Sequence, residues 1–320
     1  MPLHSTIAPE LIQEAADFLA GKIRGTPLEH SPELSRVLGV NVYLKLENLQ
    51  LTGSFKIRGA WFKLARLGAT TVLTCSAGNH GKGVAYAARQ LGIRAIVCVP
   101  NTIDHAKYKG MLAYGAEVRI AQFAGYDETE DWALEQAKSE SLPFVSPFDD
   151  YDIMAANGGT LAKEIIAERP EIENFIVPVG GGGMAAGMSA FEPARRIVCC
   201  QLEKSPGLQA SLHAGHAITR LPPIDTIAGG IEGGFGKLPF EIIQSKVHLL
   251  ALLTEPEIYA GMRWMLDQHQ YLIEPSSAAP IAACLTGKIG PLNGPAAIVI
   301  SGRNVSLAVI RRVLSEGDPA

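Results

Sequence analysis

One lysine in this chain stands in a setting that suits chemistry better than solvation. Lys56 lies in the run Leu51-Thr-Gly-Ser-Phe-Lys-Ile-Arg-Gly-Ala60, between Phe55 and Ile57 and at the predicted start of a helix. An amine desolvated by such neighbours loses proton affinity and becomes nucleophilic near neutral pH, as an amine that forms a Schiff base with an aldehyde must be. An isolated lysine is more often a solvated surface cation, so the reading depends on what else the fold brings to it.

Three further stretches have the chemistry to share its pocket. Gly180-Gly181-Gly182-Gly183-Met184 follows a predicted strand and precedes a predicted helix over 185–190, so its backbone N–H groups can converge on an anion at a helix N-terminus. It has neither the Gly-Lys-Ser/Thr ending of a triphosphate loop nor the GxGxxG spacing of a dinucleotide site, and a plain strand-to-helix turn would use the same residues. Ser76-Ala77-Gly78-Asn79-His80 offers main-chain donors for a carboxylate and the Asn79 amide for a ring oxygen, although such residues also serve ordinary turns. Ser301 ends a third strand and could give its hydroxyl to a ring nitrogen or cap a helix from Asn304 onward. A reactive lysine, an anion cup, a ring-oxygen donor and a ring-nitrogen partner are together what pyridoxal 5′-phosphate requires.

The elements that must position these residues read as an α/β protein. Strands are predicted over 42–46, 71–75, 94–99, 117–120, 175–179, 197–202, 247–252 and 296–300. Helical periodicity lies between them, as in Ile57, Ala60, Trp61 and Leu64, in 84–91 and in 154–167. Alternation of this kind predicts parallel sheets, whose ligands sit at the carboxyl ends of the strands, where the three turns fall. The first 23 residues read as an amphipathic helix interrupted by acids.

Composition narrows the function classes. The 320 residues are 47% apolar and 19% charged with a formal net charge of −4, so neither nucleic acid nor an anionic membrane is the expected partner. No apolar run approaches the roughly 18 residues that span a bilayer, and the default location is cytoplasmic. The five cysteines, Cys75, Cys98, Cys199, Cys200 and Cys284, sit in apolar segments without metal-ligand spacing and read as buried reduced thiols. The eight histidines form no HExxH pattern.

The stretches SFKIRGA, SAGNHGKGVAYAA, PVGGGGM, EPSSAA and SGRN, in this order, with IRGTPLEHSPELS and LKLENLQLTG before them, resemble the fold-type II pyridoxal-phosphate enzymes, specifically the serine/threonine dehydratase and serine racemase group. The resemblance covers nearly the whole chain. It implies a two-domain, tryptophan synthase β-like α/β fold, with residues 46–147 as a smaller domain that carries Lys56 and the SAGNH loop. Residues 1–45 and 148–320 would then form the larger domain, with the cofactor in the cleft. By the same resemblance Lys56 holds the cofactor as a Schiff base and Phe55 flanks it. Asn79 bonds its ring oxygen, Gly180, Gly181, Gly182, Gly183 and Met184 hold its phosphate, and Ser301 faces its ring nitrogen. Ser76, Ala77, Asn79 and His80 line the substrate carboxylate site. A homodimer is implied, and the early end of the chain implies no C-terminal regulatory domain and no inhibition by isoleucine.

The expected reaction is dehydration and deamination of a β-hydroxy amino acid, such as L-threonine, L-serine or a 3-hydroxyaspartate, to a 2-oxo acid and ammonia. Racemases of the group carry a serine where this chain has Ala77, which favours the lyase over a racemase. A β-replacement synthase and a non-catalytic cofactor carrier would use the same cofactor residues and stand as competing functions. Some members bind a divalent cation through residues matching Glu203 and Gly207, but the third position here is Gln209, which makes a tight metal site doubtful. Arg303 replaces a glycine of the family's serine turn and would either pair with a second substrate carboxylate or be a solvated arginine. Glu274 would either reach the pocket or serve as a helix-terminal charge before Pro275. The stretches 157–160 and 231–236 are expected to contribute to the wall that reads the side chain, and Gly229 stands where an aspartate is common.

Overall fold

The computed structural model describes residues 6–315, whose strands form two sheets. The larger runs β1 (Leu28–His30), β2 (Val42–Lys45), β9 (Ala296–Val299), β6 (Asn174–Pro178), β7 (Arg196–Leu202) and β8 (Val247–Leu253). The smaller is β3 (Thr71–Cys75), β4 (Arg94–Val99) and β5 (Glu117–Ile120). All pairings are parallel except that of β1 with β2, which places Leu28 opposite Lys45. The predicted strands agree with the observed ones to within a residue; β1 is the addition, three residues and too short to show a period.

The pleat explains why these strands are nearly all apolar. In the large sheet Leu44, Ile176, Val198 and Ile298 pack on one face and Phe175, Val177, Cys199 and Ala297 on the other. The small sheet does the same with Val72 and Val97 against Leu73, Ile96 and Cys98. A sheet covered on both faces by helices buries both sets of alternate side chains. All five cysteines are buried and unpaired, as their apolar settings predict.

The helix Lys56–Leu67 follows directly from the reactive motif and buries Ile57, Ala60, Trp61 and Leu64 on the predicted stripe. Its third residue, Arg58, fixes it to the other sheet's surroundings. Arg58 is fully buried and bonds Glu47 through Nε and Nη2, both at 2.8 Å, and Glu164 through Nη1 at 2.6 Å. Thr26 Oγ1 donates to Glu47, and Lys45 pairs with Glu164 at 2.7 Å. Burial opposes the Arg58 charge, yet Glu47 and Glu164 outweigh it and hold its pKa above the usual arginine range.

The predicted helix over 154–167 is interrupted. Tyr151–Met154 and Thr160–Glu168 are α-helical, but Ala155–Gly159 is a π-helical turn. A methyl group on Gly158 would collide with the Met184 carbonyl, and one on Gly187 with the Met154 carbonyl, so this turn and the helix Gly183–Phe191 meet glycine against glycine. The turn also delivers Asn157 Oδ1 to the Gly59 N–H at 2.8 Å, a second tie on the Lys56 helix. The stretch 157–160 is therefore buried support and does not form part of the substrate wall, a correction to the sequence reading. The first helix spans Pro9–Leu19, and residues 1–5 of the predicted amphipathic segment lie outside the described residues.

Candidate active site

Turns from both sheets enclose a cavity of 330 Å³. Phe55, Lys56, Ser76, Ala77, Asn79, His80, Gly180 to Met184, Glu274 and Ser301 all line it, so the residues singled out from five distant stretches converge.

Main-chain pairing brings the stretches together. The segment before Lys56 runs beside the end of β9: Asn48 N–H donates to Ile300 O at 2.9 Å, Phe55 N–H to Ser301 O at 3.1 Å, and Ser54 bridges Gly302. The Lys56 ammonium donates to the Pro147 carbonyl at 2.8 Å. Burial lowers its pKa from the ordinary lysine range to about 8, while the Glu274 carboxylate opposes the shift. An amine so placed is a competent nucleophile and base near neutral pH.

The glycine run forms a cradle that side chains would fill. Gly182 has φ +90°, and a methyl group there would strike the ring of Phe235; one on Gly181 would strike Phe148. Gly180 lies against the turn at Gly230, whose carbonyl is 2.8 Å from where a β-carbon would sit. The first-turn N–H groups of the helix that follows have no acceptor within it and face the cavity end, which suits a phosphate.

Across the cavity the Asn79 amide donates to Glu274 Oε1 at 2.6 Å and accepts from Asn304 Nδ2 at 2.7 Å. Glu274 Oε2 accepts from the Asn304 N–H at 3.1 Å, and Asn304 Oδ1 accepts from Lys82 Nζ at 2.8 Å. Glu274 precedes the helix Pro275–Leu285 but makes no side-chain cap; its place is in the cavity, and burial raises its pKa. Ser301 caps no helix, since the last one begins at Leu307, and its hydroxyl meets that of Ser277 at 2.8 Å. Ser277 also accepts from the Gly302 N–H at 2.7 Å.

His80 is buried and neutral. Burial pushes its pKa to about 3, with the Lys56 charge acting in the same direction and the Val145 carbonyl opposing. Its Nδ1 has no hydrogen-bond partner. The Gly78 N–H is turned to Ser76 Oγ at 3.1 Å.

Other sequence-derived candidates fall elsewhere. Arg303 is exposed beside Gly53 and is absent from the cavity wall, so it offers no second-carboxylate site there. Glu203 is exposed, and the Gly207 carbonyl accepts the Ser211 hydroxyl at 2.6 Å. Among the described residues no group of three or more His, Cys, Asp or Glu side chains could hold a metal ion. Sequence reasoning missed Lys107 and, inside EPSSAA, Ser277; Glu232 was not singled out, but it lies in the stretch 231–236 expected in the wall, and Ile231 and Glu232 do line the cavity.

A lysine amine, a glycine cradle at a helix start and a buried serine hydroxyl, gathered at the strand ends of an α/β protein, suit an aldehyde cofactor that carries a phosphate. The chain belongs to the family described as pyridoxal-phosphate dependent enzymes, whose model matches residues 19–302. It is 37% identical over 320 residues to an L-threonine ammonia-lyase of Thermotoga maritima, covering 97% of this chain and 79% of that one. Among solved structures it is similar to a pyridoxal 5′-phosphate-dependent aspartate racemase, with TM-score 0.88, 28% identity and coverage of 96% and 98%. It is also similar to the processed form of threonine deaminase isoform 2 from Solanum lycopersicum, with TM-score 0.84, 30% identity and coverage of 97% and 94%.

Proposed function

We propose that this protein is an ammonia-lyase that converts L-threonine or L-serine to the corresponding 2-oxo acid and ammonia. The observation that carries the reading is the pairing of one depressed-pKa amine, Lys56, with a bare methyl group at Ala77 in the same cavity. Lys56 supplies the base, and the position that carries a serine in racemases of the group has no hydroxyl to return a proton from the other face. The relative named L-threonine ammonia-lyase supports the same choice.

Bound pyridoxal phosphate supplies an electron-withdrawing ring that acidifies the α-proton of an amino acid joined to it. Gly180 to Met184 hold the phosphate through main-chain N–H groups, Asn79 and Ser301 address the ring, and Phe55 packs at its side. Ser76, Asn79 and His80 shape the seat of the substrate carboxylate. Lys56 removes the α-proton, and the β-hydroxyl leaves as water. The released enamine takes up water to give the 2-oxo acid and ammonia, so L-threonine yields 2-oxobutanoate and L-serine pyruvate. Ser301 is an uncharged hydroxyl and would give the nitrogen of a bound ring no charged partner, which would favour loss of the β-group.

The same reading takes residues 46–147 as a domain inserted in the larger one, supported by a three-stranded sheet confined to 71–120. A cytoplasmic location is supported by five buried, unpaired thiols. A homodimer follows from the family resemblance. No helix among the described residues is long and apolar enough to cross a membrane.

The test is 2-oxo acid and ammonia formation from L-threonine, L-serine and 3-hydroxyaspartate isomers by cofactor-loaded protein, with Lys56→Ala as control. Turnover lost in the variant supports the lyase. The similarity to an aspartate racemase favours one competing reading, and D-amino acid appearing faster than 2-oxo acid would establish it in place of ours.

A further inference from the structure

Apart from Asp104, which caps the helix His105–Ala113, two charged side chains on the cavity wall take no part in the chemistry above: Lys107 and Glu232. Neither side chain has a hydrogen-bond or ion-pair partner among the described residues. They enter from different elements, Lys107 from the helix His105–Ala113 and Glu232 from the turn after Gly229. The Lys107 amine lies over the SAGNH loop, 3.6 Å from where a β-carbon on Gly78 would sit. It is therefore placed for the α-carboxylate that this loop receives.

Glu232 occupies the opposite kind of position. Its turn is clamped on both sides: Gly230 N–H donates to Ser276 Oγ at 3.0 Å and Gly233 N–H to Ser205 Oγ at 2.9 Å. The turn backs onto the glycine cradle through the Gly180–Gly230 contact. A carboxyl group held there lines the same cavity as Lys56 and the SAGNH loop and is unpaired. We propose that Glu232 is the residue that reads the substrate side chain, admitting an uncharged hydroxyl-bearing group and turning away one that ends in a carboxylate. This deepens the lyase reading and rests on it.

An unpaired charge facing the wrong ligand is an effective means of discrimination. The charged groups facing Glu232 are Lys107, Asp127 from the helix Tyr126–Ser139, and Asp225 from the preceding loop. Asp127 is held by the N–H groups of Leu221, at 2.8 Å, and Gly234, at 3.2 Å. Burial first, and then Asp127, raise the Glu232 pKa to about 7, with Lys107 opposing. Its charge, and with it the discrimination, switches on across the neutral range.

The experiment compares kcat/KM for L-serine and 3-hydroxyaspartate between pH 6 and 8.5 in the holoenzyme and its Glu232→Gln variant. The serine preference should grow on the order of 10- to 100-fold with rising pH in the native protein, the size of a like-charge contact at short range, and stay flat in the variant. Dissociation constants for the isosteric pair L-asparagine and L-aspartate, read from the cofactor absorbance, give the same comparison without turnover. A failure of the lyase reading would show as no 2-oxo acid from any substrate while this binding ratio still moved with pH. An identical ratio in both proteins at every pH, or a native preference for the diacid above pH 8, would overturn the proposal.

Discussion

Phe55 and Ser301 are joined by a main-chain hydrogen bond of 3.1 Å, and that bond sets the distance between the Lys56 amine and the Ser301 hydroxyl. Lys56 follows Phe55 by one residue, so the amine is placed by the same ladder that ends β9. The Ser301 hydroxyl is itself held. Ser277 accepts from the Gly302 N–H, faces the Gly302 carbonyl at 2.9 Å and shares a proton with Ser301. When Ser301 donates to a ring nitrogen, Ser277 is placed to donate to Ser301. Ser277→Ala and Ser301→Ala should each weaken cofactor binding by about 3- to 10-fold, the worth of one hydrogen bond. The double variant should lose less than the product of the two, in a fluorescence titration of apoprotein.

The Lys56 pKa of about 8 predicts how the apoprotein captures its cofactor. Capture needs the neutral amine, so its rate should climb with pH and level off just above pH 8, well below the range of an ordinary lysine. A rate still climbing at pH 10 would refute the desolvated amine. Stability carries the opposite sign. Burying the protonated amine costs free energy at all pH below about 8, and the cost fades as pH rises to the unfolded value. Lys56→Met should therefore stabilise the apoprotein at pH 7 by about 1–3 kcal/mol and have little effect near pH 11.

Arg58 predicts a loss that its neighbours can partly repair. Arg58→Met leaves Glu47 buried and unpaired, which should destabilise the protein by about 3–5 kcal/mol in denaturant titration. Adding Glu47→Gln should recover a measurable part, because the uncompensated charge is gone. Arg58→Lys should not rescue, since an ammonium cannot bond both carboxylates in fork geometry.

Glu274 orients Asn79, so Glu274→Ala should lower activity about 10- to 100-fold while the melting temperature changes little. The cofactor absorbance maximum should shift in the same variant, because the Asn79 amide is released from its 2.6 Å bond. An unchanged spectrum would mean that Glu274 touches only substrate.

The strands and the convergent turns were legible because each rests on local signals: short β-branched runs, and glycine or asparagine at their ends. β1 was not, since Leu28–His30 is a strand only by virtue of β2 beside it. The π-helical turn at Ala155–Gly159 keeps helical periodicity and is set by Gly187 from another helix, which no window around residue 157 contains. Arg303, read from its turn as either a partner for a second carboxylate or a solvated arginine, is the exposed one, whereas Lys107 lies on the wall with no motif around it. Motif spelling finds the turns that meet at the cavity; the rest of its wall is assembled by tertiary contact and leaves no spacing to find.

The place of β9 has a consequence for the order of events during synthesis. This strand lies between β2 and β6, so the large sheet has a gap at its centre until residues 296–299 have left the ribosome. Before then Lys56 has no ladder to sit against and Ser301 does not exist. The small sheet, complete by residue 120, can fold while the chain is still growing, but the site is assembled only after residue 301 has emerged.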